Sequence, residues 1–160
     1  MNTITIKLDL PEIIYDIQNK TYLTGRSAEN NSNHSHVANM QANDDDENSA
    51  QILRSLTTGL AILRNRLAEY LDSADASADN GSLTPDDELT LTLAMPSNYN
   101  RSATSAIAES AHHFLVAYAV ADWFAITAKD ETADYSAVSE QALKILEESI
   151  CKRSRPKRHG

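Results

Sequence analysis

The chain has 160 residues, a single-domain length with room for one real hydrophobic core. Gly and Pro number only four each, which disfavours a turn-rich β-sandwich and favours helices, and the single cysteine, Cys151, excludes an intramolecular disulfide. The net charge of −9 hides a split: residues 1–151 hold nine Lys and Arg against twenty-three Asp and Glu, a net −14, while Lys152, Arg153, Arg155, Lys157 and Arg158 make the last stretch +5.

The first element is TITIKLDL, residues 3–10, where Ile4, Ile6, Leu8 and Leu10 alternate with Thr5, Lys7 and Asp9. A period of two with β-branched residues predicts a half-buried strand. Lys7, Asp9 and Glu12 interrupt any apolar run here, so no secretion signal is expected. Pro11 suits the first turn of a short helix carrying Ile13, Ile14 and Ile17, with Gly25 as a left-handed C-terminal cap. Residues 27–49 have almost no bulky apolar side chains and predict a mobile loop, one that either stays disordered or orders against a partner.

From Asn48 to Ser73 the spacing of Leu53, Leu56, Leu60, Leu63, Leu67 and Tyr70 gives a heptad-like seam, widened by Ile52, Ile62 and Leu71 to the stripe of a bundle helix. The run Asp44–Glu47 stands where carboxylates complement a helix N-terminus. A polar connector, residues 72–88, leads to ELTLTLAMP, whose Leu89, Leu91, Leu93 and Met95 repeat the alternation of the first strand. The two strands are expected to pair with each other, and either to pack on the helices or to extend a sheet between subunits. A third helix is predicted from about Ser102 to Ala128. Its run FLVAYAVADWFAITA is broken by Asp122 and is too short for a membrane span of roughly 20 residues, so it reads as a buried helix and no membrane partner is expected. A fourth, from about Thr132 to Cys151, has Tyr135, Val138, Ala142, Ile145, Leu146 and Ile150 as its apolar side. The whole predicts a mainly α fold: a three- to four-helix bundle with a two-stranded β element in one domain, residues 1–151, and a basic arm, residues 152–160.

Candidate chemistry is sparse. Glu109 and His112 form one Glu-x-x-His pair, but a di-iron centre needs two such pairs and further carboxylates. No metal or cofactor is therefore expected, and His34 and His36 lie in the polar loop. Asp122 needs a partner if it is buried. Cys151 stands beside Lys152 and Arg153 without a nucleophile signature, and no phosphate loop, His-Glu-x-x-His or Cys-x-x-Cys motif is present. An enzyme is not expected. Trp123 and Phe124 belong either to the core or, if exposed, to a partner surface. The arm carries no aromatics, so it can sit on phosphates without reading sequence, or dock into an acidic groove.

ITIKLDLPEIIYDIQNKTYLTGRS near the start, HHFLVAYAVADWFAIT, and KRSRPKR near the end resemble small virion proteins of phages and prophages of gut Bacteroidetes; the layout is similar to head–tail connector, or neck-ring, subunits. The resemblance implies a non-catalytic subunit of a homo-oligomeric ring in the virion, made in the bacterial host cytoplasm. It also implies that the arm docks on portal or tail proteins, with DNA in passing. The alternative is a small nucleic-acid-associated or regulatory protein that binds through the arm.

Overall fold

The computed structural model describes residues 2–72 and 83–158. In chain order these form β1 (Asn2–Asp9), α1 (Leu10–Ser27), α2 (His34–Met40), α3 (Asp46–Arg66), β2 (Glu88–Met95), a short 3-10 turn (Arg101–Ala103), α4 (Thr104–Thr127) and α5 (Lys129–Ile150). The fold is mainly α with a small antiparallel sheet, as the patterning predicts. Residues 73–82, most of the second polar connector, lie outside the described residues.

The alternating strands pair along their full length, with Ile4 opposite Leu93, Ile6 opposite Leu91 and Leu8 opposite Leu89. Ile4, Ile6, Leu8, Leu91, Leu93 and Met95 are all buried. The apolar face of the sheet therefore lies on the helices, and α4 packs against β1. Pro11 opens α1, but the helix runs on through Gly25 to Ser27. The cap expected at Gly25 is thus a helix-interior glycine, and no residue of positive φ occurs among the described residues. Gly25 faces α2 with room for a side chain: a Cβ there would lie 3.4 Å from Val37 and 3.7 Å from Met40.

Residues 27–49 are organised more than their composition predicts. They contain all of α2 and the first turn of α3, and they bury Met40 and Ala42 to 1% exposure. Three side chains make the anchorage: the Trp123 indole N–H donates to the Met40 carbonyl at 2.7 Å, the Thr21 hydroxyl accepts from the Ala42 amide at 3.0 Å, and the Gln18 amide donates to Asp44 at 2.7 Å. All three partners come from outside the segment, so its own sequence does not reveal them.

The α3 seam is buried from Ile52 to Leu67, but the helix ends at Arg66 rather than Ser73. Tyr70–Asp72 then returns along β2, with the Ala94 amide donating to the Tyr70 carbonyl and the Asp72 amide to the Thr92 carbonyl. Acidic Asp46 and Glu47 in the first turn of α3, and Arg64 and Arg66 in its last, complement the helix dipole. Helix α4 is apolar on nearly every side and is accordingly central, packed against α1, α2, α3, α5 and β1.

The buried face of α5 differs from the expected one. Ser139, Ala142, Leu143, Leu146, Ser149 and Ile150 face inward, whereas Val138 and Ile145 are exposed. Ser139 and Ser149 donate to the carbonyls of Ser136 and Ile145 on their own helix, which satisfies their hydroxyls and lets small residues occupy the α4–α5 contact.

Candidate docking sites: the clamped arm and an acidic cleft

Tyr99, on the segment entering α4, is 3% exposed and holds the chain there against the core. The arm joins this anchored segment as a short antiparallel bridge, Tyr99 opposite Arg153. The Asn100 amide donates to the Lys152 carbonyl at 3.0 Å, and the Ser154 amide donates to the Asn98 carbonyl at 2.7 Å. Arg153 also turns back on the C-terminus of α5, donating from Nη1 to the Ile150 carbonyl at 3.0 Å, where a cation meets the negative end of the helix dipole. The five cations therefore divide. Lys152 enters the clamp through its backbone and Arg153 through its guanidinium as well, while Arg155, Lys157 and Arg158 extend beyond it, exposed.

A cleft of about 360 Å³ opens between α3, α4 and α5. At one end are Asp122, Tyr118, Thr132 and Ser136; Glu140, Leu143 and Arg66 form the other. Asp122, the odd carboxylate within an apolar run, accepts a hydrogen bond from Ser55 of α3. Its Oδ1 has no hydrogen bond among the described residues. Burial, and secondarily the nearby Asp122 charge, push the Tyr118 phenol above its ordinary value. The Thr132 hydroxyl is buried and has no hydrogen-bond partner among the described residues. Arg66 is engaged by Glu147 at 2.7 Å, with both side chains about half exposed. Asp122 and Glu140 form no ion pair among the described residues, although Arg66 lines the same cleft. The sequence singled out Asp122, and only folding adds Ser55, Tyr118, Thr132 and Glu140 to it.

The Glu-x-x-His pair does not act as one unit. His112 pairs with Asp16 of α1 at 2.6 Å, while Glu109 lies 3.7 Å from His113. His34 pairs with Glu29 at 2.9 Å. No group of three metal-ligating side chains occurs among the described residues. Cys151 is exposed at the end of α5. Trp123 and Phe124, which exposure would have made a partner surface, are 6% and 0% exposed and belong to the core; α2 covers the Trp123 indole, and Tyr135 stacks near Phe124 with ring centroids 5.5 Å apart. Among the described residues, no helix is long and apolar enough to cross a membrane.

Comparison with protein-family models, curated proteins and solved structures finds no match for this chain.

Proposed function

We propose that this chain is a non-catalytic structural subunit of a phage virion, of the head–tail connector type, which joins copies of itself into a ring and meets portal or tail proteins through its C-terminal arm. The observation that carries this reading is the clamp on the arm. The Tyr99–Arg153 bridge fixes the point of departure, so Arg155, Lys157 and Arg158 leave an acidic body from one defined place. A docking element gains from such anchorage, because less chain entropy is lost when it binds. Exposed Val138, Ile145 and Ile126 offer apolar surface on the same subunit for neighbours to cover.

The test is co-fractionation of the chain with virion particles, together with negative-stain imaging of the purified protein. Rings and particle association support the reading; a chain that stays monomeric and separates from the particles contradicts it. The exposure of the three outer cations keeps a second reading in play, nucleic-acid association through the arm. In that case DNA binding falls steeply with salt and disappears in R155A/K157A/R158A.

A further inference from the structure

We infer that the cleft between α3, α4 and α5 is a receptor for a guanidinium or ammonium side chain, and that its occupant is the C-terminal arm of a second copy of this chain. The inference rests on the reading of the arm as a docking element and adds where it docks.

The chemistry of the cleft selects a cation. Asp122 and Glu140 supply acceptors of the right charge, and the Ser55 hydroxyl holds the Asp122 carboxylate in place. Thr132 contributes a buried hydroxyl with no partner among the described residues, which an N–H donor would satisfy. Tyr118, partly exposed and backed by the buried Phe114 with ring centroids 5.7 Å apart, lines the same space and adds an aromatic wall that a cation favours. A guanidinium, with five donors in a planar fork, matches carboxylate and hydroxyl acceptors together. The charges facing the cleft are Asp122, Glu140 and Arg66, the last neutralised by Glu147. Lys144 lies in the neighbouring depression beyond Glu140.

Reach decides which copy supplies the arm. The clamp holds Ser154 beside Asn98, at the end of the α4–α5 hairpin where α4 begins and α5 stops. Asp122 lies about 27 Å along α4 from Thr104, and Thr132 about 27 Å along α5 from Ile150, at 1.5 Å per residue. From Ser154 to Arg158 the backbone spans at most about 14 Å when fully extended, and the arginine side chain adds roughly half as much again, still short of about 27 Å. A chain's own outer cations therefore reach the near rim at Glu140 and fall short of Asp122. An arm from another copy has no such limit. Two copies that exchange arms reciprocally close a dimer; otherwise, because donor and receptor are different surfaces, the contact is head-to-tail. Contacts of that kind close into rings when the rotation permits and otherwise continue as filaments.

The test uses the full chain. A labelled peptide of residues 152–160 is titrated into the R155A/K157A/R158A protein, whose own arm cannot compete. Binding is expected, weakening with salt and falling about tenfold or more in D122N or E140Q added to that background. Glu140 is exposed, so E140Q remains informative even if D122N disturbs folding, which circular dichroism would report. No peptide binding, or equal binding with and without the cleft substitutions, overturns the inference. A second measurement mixes the R155A/K157A/R158A chain with an E140Q/D122N chain that keeps its arm. One intact contact remains, so heterodimers and nothing larger are expected; rings from this mixture would also overturn it. The two levels fail separately. Self-association that survives loss of the cleft removes this inference and leaves the structural subunit standing, whereas peptide binding by a chain found in no particle removes the virion reading and leaves the cleft.

Discussion

Asp122 shows how one side chain can carry a local conflict and its resolution. A carboxylate in the middle of the central helix would be costly without a partner, and Ser55 supplies one from α3. Replacing Ser55 by Ala should destabilise the protein by about 1–3 kcal/mol, the usual cost of stranding a partly buried polar group, as read from urea unfolding. The neighbouring phenol gives a pH signature. Tyr118 holds its proton above the ordinary tyrosine value of about 10 because it is buried and faces Asp122. The folded state thus binds that proton more tightly than the unfolded chain. The associated stability is complete below about pH 10 and is lost as pH rises through the folded pKa. Ultraviolet titration of the wild type against Tyr118→Phe should reveal one late-ionising tyrosine, and Asp122→Asn should bring it earlier. Two glycines on helices make opposite predictions. At Gly25 a methyl group meets Val37 at ordinary contact distance, so Gly25→Ala should stabilise by roughly 0.5–1 kcal/mol through helix propensity. At Gly59 it would press to 3.1 Å from Leu115 and 3.2 Å from Tyr118, so Gly59→Ala should lose that gain and disturb the α3–α4 contact beside the cleft.

Among the elements, the two strands and α4 were legible because their patterns are unambiguous. Ile4, Ile6 and Leu8 alternate without exception, and the run around Val116–Val120 leaves α4 no polar face to expose. Helix α5 buries the expected Ala142, Leu146 and Ile150, and its reading failed at Val138 and Ile145. Its inward face uses Ser139 and Ser149, whose hydroxyls bond to their own helix, and a count of apolar residues passes over them in favour of Val138 and Ile145. Substitution checks the correction at Ile145: Leu146→Ala should cost about 2–5 kcal/mol, and Ile145→Ala should stay within about 0.5 kcal/mol. Helix α2 was missed for a different reason. Met40 is the largest apolar side chain of a polar stretch, and what fixes its carbonyl is an indole 83 residues away. Trp123→Phe keeps most of the ring but strands that carbonyl. The loss should be about 1–3 kcal/mol, with increased hydrogen exchange in residues 34–42. The cleft was legible only as the lone Asp122, since its other members come from three helices and converge through tertiary packing.

At the scale of the whole molecule, the charge split has a structural counterpart. The arm is clamped at one end of the α4–α5 hairpin, and the carboxylates of the cleft lie from its middle, at Glu140, towards the other end, at Asp122. The sequence announced the basic arm, yet it did not show that the Lys152 backbone and the Arg153 guanidinium form the clamp and that Arg155, Lys157 and Arg158 lie beyond it. A −14 body repels other copies of itself at long range, and in the proposed assembly the arm supplies the local attraction that sets their orientation. Association should therefore weaken as salt rises, since the contact depends on exposed charge. The most direct measurement is the mass distribution of the purified chain by light scattering across a concentration series, beside R155A/K157A/R158A. The account predicts assembly of the wild type into discrete oligomers and a monomeric triple variant with an unchanged circular dichroism spectrum. A wild type that remains monomeric throughout, or a triple variant that assembles equally well, would contradict it.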